Sequence, residues 1–144
     1  MKKNMPNKWL RKAIKDQING IVVNGKTVNC FDTNVTGSVI PEQYVVLSTQ
    51  SNDVDKRNKC EYFWDSDILI DIVTRYNSTG NTGSRLLADD ITDQVRVLTD
   101  SLVLDSASGL SIIWQRQTFP NSLESQTENT IIFRNFIRIS LKIK

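Results

Sequence analysis

The stretch EYFWDSDILIDIVTRY, residues 61–76, decides the fold because its polar and apolar side chains alternate with the two-residue period of a β-strand. The apolar face carries Trp64, Ile68, Ile70 and Ile72, and the acidic face carries Asp65, Asp67 and Asp71. A strand of this kind is buried on one side and meets solvent or a partner on the other. The stretch therefore predicts a sheet with one covered face.

The remaining elements are predicted outward from this strand. Residues 130–142 also alternate, with Arg134, Arg138 and Lys142 opposite an apolar row. Apolar residues at helical spacing predict amphipathic helices at residues 8–18 and, with Ser84 as its cap, at residues 84–100. Shorter strands are predicted at residues 21–23, 26–31, 44–49 and 110–118.

Two polar segments interrupt these elements. Residues 50–59 are predicted to be a loop or the exposed end of a long hairpin, and residues 121–129 a loop. Hairpin-length links favour an antiparallel or mixed sheet carrying the two helices. At 144 residues we expect an α+β fold in a single domain, residues 1–144.

Charge is distributed unevenly along the chain. The net charge is +2, but six basic residues precede the first acid, Asp16, and 13 of the 16 carboxylates lie between Asp16 and Asp100. The ends are therefore basic and the middle is acidic. A polarised surface of this kind can steer subunits together or attract nucleic acid.

The composition argues against several classes of protein. The chain has no His, and Cys30 and Cys60 form no metal-binding spacing, so we expect no metal and no cofactor. The basic N-terminus is followed by no apolar signal region, and no run approaches the roughly 20 residues that span a bilayer. We expect a protein made in a reducing cytoplasm, with free thiols and no membrane partner.

The segment GIVVNGKT, residues 20–27, matches the phosphate-loop pattern G-x-x-x-x-G-K-[ST]. A working phosphate loop follows a strand and opens a helix, whose N-terminal amides bind the anion. Here a predicted helix precedes the match and β-prone residues follow it. The pair Asn24-Gly25 suits a tight hairpin turn, so the hairpin is the preferred interpretation.

The acidic row Asp65, Asp67 and Asp71 allows three interpretations. It is a solvated strand face, a site for a divalent cation or acid-base pair, or a surface that lines a pore or meets a neighbouring subunit. A nucleotide- or metal-dependent phosphate enzyme would use Lys26 with Asp65 or Asp67. Without histidine no second catalytic group stands out, and we expect no enzyme and no catalytic residues.

The basic face of the first helix is the second candidate site. It carries Lys8, Arg11, Lys12 and Lys15. Such a face could bind nucleic acid phosphates as a non-specific DNA-binding accessory, contact a neighbouring subunit, or simply be solvated. No helix-turn-helix partner is evident, which argues against sequence-specific DNA binding.

Four stretches give the chain a resemblance to the tail terminator or tail completion proteins of tailed bacteriophages and to related neck-ring proteins. They are the helix at residues 9–18, the strand YVVLS at 44–48, the strand at 68–76 with a glycine turn and helix 85–98 after it, and the closing strand at 133–141. Thr74-Arg75-Tyr76, Gly80 and Gly83 match the family's layout after the third stretch. The hairpin at residues 21–31 and the polar segment at 50–59 depart from it.

The resemblance implies a structural virion protein that forms a ring of identical subunits at the head-tail junction or tail end. Its partners would be copies of itself and portal or other neck and tail proteins, and DNA would pass through without sequence-specific binding. In such a ring the acidic face of Asp65, Asp67 and Asp71 would line the lumen or contact a neighbour, and the basic helix would supply the opposite contact.

Overall fold

The structure is a computed structural model that describes residues 4–33, 35, 37, 40–55, 63–77, 84–127 and 129–144. In chain order the described elements are α1 (Asn7–Ile18), β1 (Ile21–Val23), β2 (Lys26–Asp32), β3 (Gln43–Asp55), β4 (Phe63–Asn77), α2 (Leu86–Leu98), a short 3₁₀ helix (Ser106–Ser108), β5 (Ile112–Thr118), β6 (Leu123–Gln126) and β7 (Thr130–Ile143). The predicted α+β fold is confirmed.

The strands form a mixed sheet in the order β1-β2-β3-β4-β7-β5, and β6 also pairs with β7. The pairing of β2 with β3 is parallel, and the other described pairings are antiparallel. Strands β5 and β6 lie end to end along one edge of β7, where Thr118 is opposite Arg138 and Leu123 is opposite Arg134. The long pair β4 and β7 occupies the middle of the sheet.

Both helices pack on one face of the sheet, α1 over β2 and β3 and α2 over β4 and β7. The core between them is made of aliphatic side chains that are nearly or fully buried: Leu10, Ile14 and Ile18 from α1, Ile91 and Val95 from α2, Ile68, Ile70 and Ile72 from β4, and Ile137, Ile139 and Leu141 from β7. Each such side chain contributes about 1.5–3 kcal/mol by leaving water. The apolar faces predicted for both helices and both long strands are confirmed.

The polar segment after residue 49 is strand as far as Asp55 and pairs with β4, so for residues 50–55 the prediction of a long hairpin is confirmed and the alternative of a loop is wrong. A cross-strand bond joins this segment to β4, where the Ser66 hydroxyl donates to Asn52 Oδ1 at 2.6 Å. The loop predicted at residues 121–129 also contains a strand, β6, whose four residues are all exposed.

Ser84, the predicted cap of α2, is not its N-cap residue; that position is Arg85, whose side chain makes no capping hydrogen bond. The helix begins at Leu86, whose backbone N–H donates to the Ser84 hydroxyl at 3.1 Å. Residues 78–83, which make up most of the glycine turn predicted before this helix, lie outside the described residues, and so does Cys60.

Candidate assembly surfaces

The three predicted acidic residues of β4 lie on the sheet face away from the helices, beside basic side chains of β7. Arg134 binds both oxygens of Asp71: its Nε lies 3.3 Å from Oδ1, and its Nη2 contacts Oδ2. Arg138 Nη1 lies 3.6 Å from Asp67 Oδ2. Lys142 Nζ lies 3.9 Å from Asp65 Oδ1. Because the register places Arg134 opposite Val73 and Arg138 opposite Leu69, the first two pairs are diagonal. Long basic side chains reach such diagonal neighbours across a sheet.

The pair of Asp71 and Arg134 is the most buried of these contacts. The Asp71 side chain is 5% exposed, whereas that of Arg134 is 45% exposed. Hydrogen bonding to Asp71 raises the pKa of the Arg134 guanidinium above its ordinary value, so the cation stays charged at any working pH. A buried carboxylate needs such a partner, because an unpaired charge is costly to remove from water.

Lys142 connects three strands at the far end of this row. Its Nζ also lies 2.9 Å from Asp55 Oδ2 on β3, and the Asp55 side chain is 9% exposed. The acidic row is therefore compensated by cations of the same chain. The predicted role of Asp65, Asp67 and Asp71, lining a lumen or contacting a neighbouring subunit, stays a prediction. The pairing of these acids with basic residues of β7 was not predicted from the sequence.

Among the described residues, no group of three or more His, Cys, Asp or Glu side chains is arranged to hold a metal ion. Asp67 is instead engaged by Arg138 and by the Ser140 hydroxyl, which donates to Asp67 Oδ1 at 3.2 Å. These contacts turn the carboxylate toward its own sheet.

The basic residues of α1 separate into two kinds. Arg11 points inward, where Nη2 donates to the Ser48 carbonyl at 3.0 Å and Nε donates to Gln50 Oε1 at 2.7 Å, and it also pairs with Asp32. The Ser48 carbonyl belongs to an irregular step in the pairing of β3 with β4, between Leu47 and Gln50. Arg11 therefore satisfies the backbone at this irregularity and joins α1 to the sheet.

The lysines of α1 face solvent instead. Lys8, Lys12 and Lys15 are all exposed. Lys12 Nζ lies 2.9 Å from Asp16 Oδ2 and 3.5 Å from Asp105 Oδ2, and the hydrogen bond to Asp16 raises the pKa of Lys12. Exposed pairs of this kind are weak, so the lysines stay available to a partner.

An exposed apolar margin follows the β5 and β6 edge of the sheet, and the sequence did not predict it. Its members are Ile113 at 52%, Trp114 at 49%, Phe119 at 55% and Leu123 at 53% exposure. The available signal was a tryptophan beside polar alternation, WQRQT at residues 114–118. Exposed apolar side chains on a sheet edge suit association, because the edge also offers unpaired backbone groups.

Glutamine side chains fix this edge to the end of α2. Gln117 Nε2 donates to the Arg96 carbonyl at 2.9 Å, and Gln115 Nε2 donates to the Thr99 carbonyl at 3.0 Å. The last carbonyls of a helix lack partners within it, so these bonds stabilise both elements.

A second polar contact anchors α2 over the gap between β5 and β6. Asn135 of β7 is 7% exposed, and its Nδ2 lies 3.0 Å from both Asp89 Oδ1 and Thr92 Oγ1. Arg85 bonds to the Ser122 hydroxyl in the segment that joins the two edge strands. The exposed margin is thus attached to a rigid scaffold.

The segment that matches the phosphate-loop pattern is the β1–β2 hairpin. Asn24 and Gly25 have φ values of 51° and 77° and form its two-residue turn, and Val23 pairs with Lys26. A strand follows Lys26 where a phosphate loop requires a helix N-terminus. The hairpin prediction is confirmed and the phosphate-loop interpretation of this segment is wrong.

Neither α1 nor α2, at 12 and 13 residues, is long and apolar enough to cross a membrane, and no other helix in the described part of the chain is.

Comparison with solved structures finds a shared fold. The chain is similar to a chain in the virion of a native gene transfer agent (GTA) particle, with a TM-score of 0.61 and 15% sequence identity, over 94% of this chain and 96% of that chain. No family model matches the sequence, and no curated protein matches it. The arrangement of two helices on a mixed sheet is therefore one that a subunit of a virion particle also adopts.

Proposed function

We propose that this chain is a structural, non-enzymatic subunit of a phage-like virion, and that its copies form a closed ring at the head-tail junction or tail end. The observation that carries the proposal is the likeness to a GTA virion chain over 94% of one chain and 96% of the other. A likeness of that extent spans nearly the full length of both chains. It is not a shared fragment such as a single hairpin.

The chemistry of the charged groups supports a structural role. The carboxylates of β4 are paired with cations of β7, and the Lys26 segment is a tight hairpin. A catalytic acid or base needs access to a substrate proton, whereas Asp71 is buried and Asp67 is held by Arg138 and Ser140. Their contacts suit a rigid subunit.

The same charge row suits a surface that DNA passes. A purely basic wall would bind phosphates, and a purely acidic wall would repel them strongly. Rows of Asp65, Asp67 and Asp71 beside Arg134, Arg138 and Lys142 come close to neutrality. A lumen lined by this face would neither attract the DNA phosphates strongly nor repel them strongly, so the duplex could pass along it.

The apolar margin along β5 and β6 is the proposed contact with portal or other neck and tail proteins. Trp114 and Phe119 are each about half exposed on an edge that α2 holds in place. Aromatic side chains are enriched in the energetically dominant positions of protein interfaces. Their exposure on a rigid edge is expected for a subunit that is incomplete outside its assembly.

Oligomeric state and shape test the proposal. Native mass spectrometry and negative-stain electron microscopy of the full chain, alone and co-purified with portal or tail complexes from the same genome, should show a closed ring in at least one preparation. Magnesium-ATP calorimetry and a DNA shift assay provide the opposing outcomes. Saturable nucleotide binding through Lys26, or tight DNA binding by a monomer, would overturn the structural role.

A further inference from the structure

The exposed lysines of α1 form one stripe on the helix. Lys8, Lys12 and Lys15 are spaced at i, i+4 and i+7, which places them on the same side over about 10 Å of helix length. Arg11 points inward to β3 and is not part of this set, which we call the lysine stripe. Its two C-terminal members, Lys12 and Lys15, are three residues apart.

Lys8, the N-terminal member of the lysine stripe, does not serve the stability of its own helix, whereas Lys12 pairs with Asp16 and Lys15 lies in the last turn, where a cation is favourable. Lys8 lies in the first turn of α1, which contains no acidic residue. A cation in that position opposes the helix dipole, which favours negative charge at the N-terminus by about 0.3–1 kcal/mol. The charge of Lys8 is better explained by a surface outside this helix.

A complementary stripe lies on the exposed side of α2. Leu86, Asp90, Asp93 and Val97 follow the spacing i, i+4, i+7 and i+11, with two acids between two apolar residues. Leu86 is 71% exposed and Val97 is 62% exposed. We call these four residues the aspartate stripe. Apolar residues so exposed on a helix suit a contact between molecules.

The two stripes do not neutralise each other within one chain. Lys12 pairs with Asp16 and Asp105, and Asp90 accepts a hydrogen bond from Asn24 Nδ2 at 2.6 Å. Among the ion pairs of the described residues, none joins a lysine of α1 to an aspartate of α2. The helices pack mainly over different parts of the sheet, α1 over β2 and β3 and α2 over β4 and β7, although they also touch each other and α2 also contacts β1.

We infer that the lysine stripe of one copy binds the aspartate stripe of the next copy around the ring. The inference rests on the proposed function and names the surfaces that hold the ring together. Lys12 and Lys15 match Asp90 and Asp93 in spacing, and Leu86 and Val97 add apolar area on either side of the charges. Unlike surfaces on one subunit give the head-to-tail contact that closes a cyclic ring.

This pairing revises the earlier expectation about the acidic partner of α1. Asp65, Asp67 and Asp71 already have cations beside them on β7, so they offer α1 of a neighbour less net charge than Asp90 and Asp93 do. Charge complementarity at partly solvated surfaces sets orientation and association rate and weakens in salt. The ring should therefore loosen as the salt concentration rises.

Charge reversal with complementation tests the pairing. The variant K12E/K15E has two acidic stripes, and the variant D90K/D93K has two basic stripes. Each alone should lose ring formation at least ~10-fold, since like charges then face each other at every contact. An equal mixture should restore rings in which the two variants alternate, visible by native mass spectrometry when one variant is isotope-labelled.

Matched controls separate this contact from general charge effects. The variants K26E and E42K reverse exposed charges outside both stripes and should assemble as wild type does. Circular dichroism should show that all variants are folded, because exposed ion pairs such as Lys12 with Asp16 contribute little to stability.

The outcomes distinguish the two proposals. If wild type forms rings and both reversed variants form them equally well, the stripe pairing is overturned and the ring stands. If both variants lose rings but the mixture does not recover them, the stripes do not bind each other and the pairing is again overturned. If neither wild type nor the mixture associates in any preparation, the ring itself is overturned.

Discussion

Arg134 on β7 binds both carboxylate oxygens of Asp71 on β4, across a register in which the two residues are diagonal neighbours. The acid is buried and the base is half exposed, so the pair closes the middle of the helix-free face. Asp71, Asp67 and Asp65, which the sequence alone suggests are unpaired, each have a basic side chain of β7 beside them. This relationship decides which charges remain for binding a partner.

Removing the base should destabilise the fold more than removing both partners. In R134M the Asp71 carboxylate stays buried without its counter-charge, and the free energy of unfolding should fall by about 1–3 kcal/mol. The double variant D71N/R134M should lose less than the sum of the single changes. Urea unfolding of the four proteins in a double-mutant cycle measures this, and additive losses would contradict the pairing.

Arg11 and Lys15 should behave differently although both belong to the basic face of α1. R11M loses the bonds to the Ser48 carbonyl and to Gln50 and should cost about 1–3 kcal/mol of unfolding free energy. K15M removes an exposed side chain and should stay within about 0.5 kcal/mol of wild type. Equal losses in urea unfolding would show that Arg11 does not support β3.

The β1–β2 turn should depend on Gly25 and not on Lys26. Gly25 has a φ of 77°, so G25A places a side chain in the left-handed region and should cost about 1–2 kcal/mol. K26A should leave unfolding unchanged within about 0.5 kcal/mol. Calorimetry with magnesium-ATP should show no binding to wild type, and binding that K26A abolishes would restore the phosphate-loop interpretation.

The buried thiol of Cys30 should make the fold less stable at alkaline pH. Burial raises its pKa from 9.0 to about 12, so above pH 9 the unfolded chain loses this proton while the folded chain keeps it. Stability should therefore fall as pH rises from 9 toward 12. The variant C30A, compared with wild type by urea unfolding across this range, should show a shallower decline, and identical slopes would contradict the burial effect.

The elements with strong periodicity could be predicted from the sequence, and the charge pairing between them could not. Alternation in β4 and β7 placed Ile70 and Ile139 in the core because one face of each strand had to leave water. The same alternation put Asp67 and Arg138 on the other face, but their contact depends on the register between two strands separated by α2 and the β5–β6 edge. The alternation within each strand fixes which side chains share a face but leaves shifts of the register by two residues open.

One strand segment was missed, and another was left open between a loop and the end of a long hairpin, because their side chains carry no apolar signal. The end of β3, from Gln50 to Asp55, is largely polar and is strand because β4 pairs with it. Strand β6 is exposed throughout and is defined by its pairing with β7. In both cases backbone pairing to a stable neighbour outweighs local propensity. The exposed margin of Trp114 and Phe119 was missed for a related reason, since exposure depends on which strand lies at the edge.

Ring formation tests the central claim most directly. Native mass spectrometry of the full chain, with negative-stain images of the same sample, should show one closed oligomer of a single stoichiometry, either alone or on co-purified portal or tail complexes. Its population should fall as salt is raised, because charged surfaces contribute to the contact. A chain that remains monomeric alone and in the presence of those complexes would contradict the account.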